Sequence, residues 1–438
     1  MEYPSEVLNN LTFLKERNIW HVVSENPEVR SCADAAQNRK RLGDVGIPLF
    51  DELKSGVGAF ASAEGRRYVA VHCRGNQKLD GDKLCNLLGA PYERLPGPEL
   101  EEAFAASYGR VNPFSLARRA DVRQIFDDSV LKTYFPPYTM MTNLGDHRFA
   151  IEFNPADVVA VCPGAIVADV VQDRTRHIPT VHRIGILTGN GPESGMLLWQ
   201  RINALIREHP SKLFEGDLSF PKVFIVSLPE MGLSMELAIR VDAVRPVVLG
   251  GVRQLCESGA TLVAIACNTT QFFADEAEKE CARFGARFIR TADVTAQYLK
   301  EQQITIFDFL GINAVADFGG WSGYGQTFAG FDVHKPSVAT LEKIKEVAYD
   351  VKKEIISAKT INKFRNLIQR TETNAVVLAL TELSLVYNDQ KLGKRSSKTI
   401  VDTVELVARR LSDIYIQEYL LALRPCDVED DADDNESD

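Results

Sequence analysis

The stretch that most constrains the fold is a short apolar run at residues 262–266, Leu-Val-Ala-Ile-Ala. An apolar run without polar alternation predicts a strand buried on both faces, as in a parallel sheet. In open α/β sheets the ligand crevice lies just outside the carboxyl ends of the strands. Cys267, Asn268 and Thr269 follow the run directly, so the sequence predicts a thiol, an amide and a hydroxyl at a ligand site.

Strand-like and helical segments alternate through the C-terminal half of the chain. Predicted strands cover residues 183–187, 223–228, 262–266, 304–310 and 375–380, and predicted helices cover residues 196–208, 235–256, 270–284, 338–356 and 397–410. This succession predicts an α/β fold in which helices cover parallel sheets.

One predicted strand and its polar end recur later in the chain. Residues 375–382 parallel residues 262–269, and each segment is a buried strand followed by small polar residues. Two such lobes facing each other across a cleft would place Cys267 and Leu380 on opposite sides of one ligand. The predicted lobes are residues 182–290 plus 388–425, and residues 291–387.

A glycine-rich turn separates the first of these strands from its helix. Gly189, Asn190 and Gly191 lie in this turn, and Pro192 suits the first turn of the helix that follows. Backbone N–H groups at a helix N-terminus form an anion site. Because the turn is not a GxGxxG motif, the sequence favours a small carboxylate over a pyrophosphate as its ligand.

Residues 1–165 predict a separate, mixed α/β domain. Predicted strands cover residues 21–24, 68–73 and 149–153, and predicted helices cover residues 9–18, 33–41 and 98–108. No dinucleotide fingerprint, metal cluster or Ser/His/Asp order is visible in this part of the sequence. Residues 166–181 include a polar stretch with Pro179 and predict an interdomain linker.

Composition narrows the class of protein. A 45% hydrophobic and 25% charged chain is typical of soluble globular proteins, and no apolar run is long enough to cross a bilayer. Eight scattered cysteines without CxxC pairs favour a reducing, cytoplasmic location. The net charge of −10 argues against non-specific coating of nucleic acid, although a local basic groove is compatible with it. Residues 426–438 are strongly acidic and predict a disordered tail.

Five N-terminal motifs, in order, resemble the YbaK/ProX family of aminoacyl-tRNA deacylases. Residues 25–29 are similar to Glu-His-Pro-x-Val, residues 74–80 to Pro-Gly-Asp-x-x-Leu-Asp, and residues 109–114 to Gly-x-x-x-Pro-Phe. Residues 141–143 are similar to Leu-Thr-Asn, and residues 154–157 to Ser/Ala-Pro-Glu-Asp. Asn26 stands where the family has a histidine. The resemblance implies hydrolysis of mischarged aminoacyl-tRNA, with the tRNA acceptor end as the partner.

The same resemblance implies roles for individual residues. Lys54 is the nearest match to the family's essential lysine and would hold the terminal phosphate or ribose, the alternative being a solvated surface lysine. The loop containing Gly109 and Pro113 would present N–H groups to the ester carbonyl, the alternative being an ordinary turn. Asn143, in the Leu-Thr-Asn-like segment, is a further candidate for substrate binding.

The C-terminal motifs resemble the aspartate/glutamate racemase superfamily. Residues 189–193 are similar to Gly-Met-Gly-Pro, residues 266–269 to Pro-Cys-Asn-Thr, residues 381–383 to Thr-Glu-Leu in Gly-Cys-Thr-Glu-Leu, and residues 402–403 to a later Asp-Ser/Thr. The resemblance implies a pseudo-symmetric two-lobed fold, a small amino acid such as Asp or Glu as substrate, no cofactor or metal, and a homodimer. It assigns carboxylate binding to Asn268, Thr269, Thr381 and the glycine turn, with Glu382 beside them.

The family mechanism needs two cysteines that flank the substrate α-carbon, and this chain departs from it. One of the two is Cys267, whereas the other position holds Leu380, which cannot transfer a proton. Three interpretations of Cys267 follow. It is a lone base or acid in a one-sided reaction such as isomerisation, elimination, decarboxylation or epimer-specific exchange, it serves a racemase with an unidentified second group, or it is a relic in a pocket that only binds an amino acid.

The sequence therefore predicts a fusion of a deacylase-like domain and a racemase-like domain, residues 182–425. In the first hypothesis the N-terminal domain edits mischarged tRNA. In the second, the chain is an amino-acid racemase or isomerase whose N-terminal domain only recruits RNA or substrate. In the third, it is a non-catalytic protein that responds to an amino acid.

Overall fold

A computed structural model describes residues 3–41, 47–63, 65–132, 139–175, 180–210, 216–353, 356–389 and 397–421. The predicted acidic tail and residues 176–179 of the predicted linker lie outside these ranges. The chain forms two compact units, of which the first is Met1–Val181 with the chain from Tyr419 onward, and the second is His182–Glu418. In the described residues, no helix is long and apolar enough to cross a membrane.

Unit 1 is a mixed α/β unit, as predicted. Its elements are α1 (Ser5–Glu16), β1 (His21–Glu25), α2 (Cys32–Asn38), β2 (Leu53–Ser62), β3 (Gly65–Arg74), α3 (Gly81–Leu88), β4 (Glu93–Arg94), α4 (Gly97–Phe104), α5 (Pro113–Leu116), β5 (Val122–Asp127), β6 (Met140–Asn143), β7 (Phe149–Phe153), α6 (Pro155–Val161) and β8 (Ile166–Ala168).

These strands form two sheets. A five-stranded sheet has the order β4-β2-β3-β5-β8, and a three-stranded sheet has the order β1-β7-β6. The long antiparallel pair β2–β3 runs in unbroken register from Leu53–Arg74 to Ser62–Gly65. Because side chains alternate along such a strand, its two faces pack into different cores. Val57 packs with Leu95 and Leu100, whereas Phe60 packs with Leu84 and Val170.

Unit 2 alternates strands and helices. Its elements are β9 (Arg183–Thr188), α7 (Pro192–Arg207), β10 (Lys222–Ser227), α8 (Leu237–Glu257), β11 (Leu262–Ile265), α9 (Ala274–Ala282), β12 (Arg287–Phe288), α10 (Thr291–Glu301), β13 (Ile306–Leu310), α11 (Asn313–Ala316), β14 (Asp332–His334), α12 (Val338–Lys353), α13 (Ala358–Gln369), β15 (Ala375–Leu378), α14 (Thr381–Asn388), β16 (Thr399–Asp402) and α15 (Thr403–Tyr415).

Two parallel four-stranded sheets result, and they have the same topology. Their orders are β10-β9-β11-β12 and β14-β13-β15-β16. If the four strands of each lobe are numbered along the chain, their order across each sheet is 2-1-3-4. The predicted α/β class with parallel sheets is confirmed. The strand repeat seen in the sequence is one part of a repeat that includes four strands per lobe.

The predicted helix at residues 397–410 is wrong in its first part. Thr399–Asp402 is a strand that pairs with β15, and the helix begins only at Thr403. Consecutive β-branched residues in Thr-Ile-Val-Asp favour a strand. The strand therefore belongs to the second sheet, which corrects the prediction that residues 388–425 form part of the first lobe. The helix α15 packs against α7 of the first lobe, where Arg201 Nε donates to Glu405 at 2.6 Å.

Candidate functional site

The candidate site in unit 2 lies where two neighbouring strands end. β11 and β9 are parallel neighbours, with Ile265 opposite Leu187, so the segments after them emerge at the same edge. The glycine turn follows β9, and Cys267 follows β11. Gly189 has a φ of +137°, and a Cβ there would overlap the Leu228 backbone. Only glycine fits this close approach, which holds the turn against the next loop.

Cys267 is buried, and hydrogen-bond donors point at its sulfur. The Asn190 amide nitrogen donates to Sγ at 2.7 Å, and the backbone N–H of Thr270 donates at 3.5 Å. Donors of this kind stabilise a thiolate. Asn190 Oδ1 is buried and has no hydrogen-bond partner among the described residues. An acceptor is therefore left open beside the thiol.

Asn268 is fixed by residues of the other lobe. Its Nδ2 donates to Thr403 Oγ1 at 3.3 Å, and its Oδ1 accepts from the Tyr324 hydroxyl. Burial raises the pKa of Tyr324, and the adjacent Cys267 raises it further. Tyr324 therefore stays protonated and remains a donor. No motif indicated this residue, because it lies in an irregular segment that is brought over β11 by the fold.

An ion pair between a buried carboxylate and a partly exposed lysine adjoins the glycine turn. Lys352, at the C-terminal end of α12, lies 2.7 Å from Glu382 Oε1 and donates to the Asn190 carbonyl at 2.9 Å. Thr381 Oγ1 donates to Glu382 Oε2 at 3.3 Å. Glu382 is thus tied to Lys352 and Thr381. No sequence motif indicated Lys352, since lysines are common throughout α12.

The remaining predicted residues of unit 2 lie close by. Thr269 is buried and begins the 3₁₀ turn Thr269–Phe273. A narrow cavity is lined by Cys267, Asn268, Thr381 and Thr403. Gly191 has a φ of +117°, and a Cβ there would lie 3.6 Å from Glu382 Oε1. The structure therefore groups the glycine turn, the Cys267 loop and the start of α14.

Leu380 occupies the position in lobe 2 that follows β15. It is 3% exposed, precedes α14 as its N-cap residue, and belongs to the same apolar core as Phe309 and Leu383. Nothing in its side chain can donate or accept a proton.

In unit 1, Lys54 projects from β2 and is partly exposed. Its Nζ donates to the Gln77 carbonyl at 2.6 Å. Burial raises the pKa of the nearby Cys32 thiol to about 12 and that of Cys73 to about 11, and the positive charge of Lys54 offsets only part of this. Both thiols are therefore protonated at neutral pH.

The loop that contains Gly109 and Pro113 is held by hydrogen bonds. Gly109 has a φ of +81°, so glycine is favoured there. Asn112 caps α5, and Pro113 is buried at its first position. Asn143 Nδ2 donates to the Val111 carbonyl at 2.7 Å, and its Oδ1 accepts from Gly145 N–H. The Asn143 side chain thus supports this loop by bonding to the loop's backbone at Val111.

The Gly109 loop packs beside β2 through its apolar residues. Val111 and Leu116 pack with Val57, and Val57 alternates away from Lys54 along the strand. The structure therefore groups Gly109, Pro113 and Asn143 around one loop.

Two family models match the chain in separate regions. The Asp/Glu/Hydantoin racemase model matches residues 187–411, and the aminoacyl-tRNA editing domain model matches residues 26–159. No curated protein matches the chain.

Solved structures resemble one region or the other. An aspartate racemase homologue from Pyrococcus horikoshii OT3 is 21% identical with a TM-score of 0.42, and the match covers 54% of this chain and 99% of that one. The Picrophilus torridus aspartate racemase is 20% identical with a TM-score of 0.42, over 53% and 94%. A candidate trans-editing enzyme for prolyl tRNA synthetase is 21% identical with a TM-score of 0.31, over 39% and 99%.

Proposed function

The chain belongs to the Asp/Glu/Hydantoin racemase family, and from that membership we propose a bifunctional protein. In unit 2, Cys267 removes and returns the α-proton of a small amino acid such as Asp or Glu from one side only. In unit 1, the editing domain hydrolyses mischarged aminoacyl-tRNA. Both activities concern small amino acids, so one unit would act on an amino acid that the other keeps off tRNA.

The observation that carries the proposal for unit 2 is the hydrogen bond from Asn190 to Cys267 at 2.7 Å. A thiolate is the form that can accept the α-proton, and a donor aimed at sulfur stabilises that form. The open Asn190 Oδ1 offers an acceptor for a substrate ammonium. Lys352 adds a positive charge beside the turn for a carboxylate.

The reaction is one-sided because Leu380 replaces the second thiol. A proton that leaves to Cys267 can return only from Cys267, which gives exchange with solvent and retention of configuration. This separates the proposal from racemisation, which needs a donor on the opposite face.

Proton exchange in deuterated water tests unit 2. With L- or D-Asp and Glu, we expect deuterium at the α-carbon without inversion, detected by NMR and chiral chromatography. Cys267→Ala should reduce exchange about 10²–10⁴-fold. Cys281→Ala, which removes another buried thiol of the same unit, is the control and should leave exchange unchanged. Inversion would favour a racemase with another second group, and binding without exchange would favour the non-catalytic alternative.

For unit 1, the support is the editing-domain match over residues 26–159 together with Lys54 and the anchored Gly109 loop. A panel of aminoacyl-tRNAs should reveal at least one that the full chain deacylates. Lys54→Ala should slow this hydrolysis at least about 10-fold, which corresponds to about 1.4 kcal/mol. Lys15→Ala, at an exposed lysine of α1, should not. Stability of every charged tRNA would contradict the editing proposal.

A further inference from the structure

The polar side chains of the candidate site in unit 2 are closed off from solvent. Asn190, Cys267, Asn268, Thr381 and Glu382 are each at most 6% exposed. The cavity beside Cys267 has a volume of about 10 Å³, which is room for about one water molecule. A cavity that holds benzene measures about 150 Å³, and aspartate has more heavy atoms than benzene. An amino acid therefore reaches Cys267 only after part of unit 2 moves.

A glycine-rich segment of the second lobe lies against the loop that carries Cys267. Residues 319–325, Gly-Gly-Trp-Ser-Gly-Tyr-Gly, form this segment, which we call the strap. It follows α11 and contains neither helix nor strand. A Cβ at Gly323 would lie 2.7 Å from the backbone oxygen of Gln271, and the Gln271 side chain donates to the Cys267 carbonyl at 3.5 Å. The strap therefore packs directly on the backbone that follows Cys267.

Two aromatic side chains of the strap reach the first lobe. The Trp321 ring lies 5.2 Å from the Phe272 ring, centroid to centroid, and packs against the apolar core of the first lobe. The Tyr324 hydroxyl donates to Asn268 Oδ1. Trp321 therefore acts as a cover on the Cys267 loop, and Tyr324 acts as a catch that holds the loop against the strap.

Aromatic packing fixes both ends of the strap. Phe318 precedes it and Phe328 follows it, and their rings pack together with 6.1 Å between centroids. The Tyr324 ring lies 5.1 Å from the Phe328 ring and belongs to the core of the second lobe. A movement of the strap that keeps these rings in place leaves this core intact.

The part of the strap before Tyr324 has room to turn. Gly319 and Gly320 are exposed, and a Cβ at Gly320 would meet no described heavy atom within 4 Å. Glycine has more backbone freedom than any other residue. Residues 319–323 can therefore lift Trp321 from the Cys267 loop by rotation at these glycines.

We propose that the strap is a gate over Cys267. In the closed state Trp321 lies on Phe272, and the bond from Tyr324 to Asn268 holds the Cys267 loop in place. In the open state residues 319–323 swing outward, while the Tyr324 ring stays in its core, and a small amino acid enters. Only the identity of the ligand rests on the proposed function.

Alkylation by iodoacetamide measures the opening, because this reagent is comparable in size to a small amino acid. Cys281 provides an internal reference, since it is a buried thiol in the core of the first lobe and reacts only when the unit unfolds. Peptide mass spectrometry gives both rates from one sample. We expect Cys267 to react at least about 10-fold faster than Cys281 in the folded chain. Equal rates would mean that only unfolding exposes Cys267, and would overturn the gate.

Variants of the cover and of the catch should speed the alkylation of Cys267. Trp321→Ala and Tyr324→Phe each remove a contact of the closed state and should raise the rate about 5- to 50-fold. Tyr298→Phe, at a partly buried tyrosine of α10, is the matched control and should leave the rate unchanged. An unchanged Cys267 rate in both strap variants would overturn the proposal.

A third variant should act in the opposite direction without removing any contact. Gly320→Ala restricts the backbone of the strap and should slow the alkylation of Cys267 about 2- to 5-fold. Ile344→Val, in the core of the second lobe, should speed only Cys281, because opening of the gate leaves that core intact. An equal increase at Cys267 and Cys281 in Ile344→Val would overturn the gate. Circular dichroism verifies that each variant is folded.

Failure of the gate and failure of the proposed reaction give different results. If the unmodified chain exchanges the α-proton of an amino acid but the strap variants do not change the alkylation of Cys267, the reaction stands and the gate is wrong. If Cys267 is alkylated through a local opening that the strap variants change, but no α-proton is exchanged, the gate stands and the reaction is wrong.

Discussion

The two lobes of unit 2 share a topology and differ at one point of chemistry. In each lobe the third strand, β11 or β15, lies beside the first strand of its sheet. After β11 the chain continues with Ala266 and Cys267, and after β15 with Ala379 and Leu380. The backbone thus repeats, whereas the side chains at the two strand ends do not.

The surroundings of these two residues follow from that difference. Cys267 is met by the donors Asn190 and Thr270. Leu380 packs into an apolar core instead. The comparison teaches that the fold supplies two equivalent positions, and that single side chains decide whether a position is reactive.

Restoring the missing thiol is the strongest way to break the asymmetry. Leu380→Cys should convert one-sided exchange into inversion of the amino acid, raising the inversion rate about 10²-fold or more, because each face then has an acid or base. Chiral chromatography of Asp and Glu measures it. The smaller side chain costs about 1–3 kcal/mol of stability.

Leu380→Ala removes the same bulk without adding a thiol, and should show no inversion. Equal inversion by both variants, or by neither, would contradict the idea that the missing thiol is what limits the reaction.

Removing the donor to Cys267 should make the first lobe resemble the second. Asn190→Leu loses a hydrogen bond to a charged acceptor, worth about 1.5–3 kcal/mol, and should slow proton exchange about 10- to 100-fold. Ser234→Ala removes only the other partner of the Asn190 amide and should have a smaller effect. An unchanged exchange rate in Asn190→Leu would show that this bond does not activate the thiol.

The contact between Asn268 and Tyr324 can be tested through stability. Tyr324→Phe leaves the buried Asn268 Oδ1 without its donor, which should lower the free energy of unfolding by about 1–3 kcal/mol. Urea denaturation measures this change. Tyr298→Phe, at a partly buried tyrosine of α10, is the control and should change stability less. An equal loss in both would mean that the hydroxyl of Tyr324 has no special role.

The smallest effect concerns Asp402 at the end of β16. Burial raises its pKa above the ordinary aspartate range, and the donors Ser384 and Asn388 offset part of that. Because the folded state then holds the proton more tightly than the unfolded chain, this group favours folding at low pH. That contribution is lost as the pH rises through the raised value.

Asp402→Asn should remove this pH dependence. The free energies of unfolding of the two proteins, compared from about pH 3 to pH 7, should therefore differ by an amount that changes with pH. A constant difference would contradict the raised pKa.

Much of the fold could be predicted because local pattern and tertiary environment agree. The apolar runs that became β9, β11 and β15 are buried on both faces, so composition alone identified them. The strand β16 was not predicted, because its four residues directly precede α15 and the helical periodicity of α15 extends the predicted helix over them.

The candidate site was predicted only in part, because some of its residues come from segments that are distant in the chain. Cys267 and the glycine turn follow predicted strands, and parallel strands end together, so their proximity followed from the sequence. Lys352 and Tyr324 come from α12 and from an irregular segment, which no local pattern connects to β11.

The sequence by itself determined that this chain has an editing-type region and a racemase-type region, and that Cys267 and Leu380 follow the two corresponding strands. Only the tertiary structure decided what surrounds the thiol. The reason is physical. Motifs and periodicity record interactions between residues near in the chain, whereas the contacts of Cys267 with Asn190 and of Asn268 with Tyr324 depend on how distant segments pack.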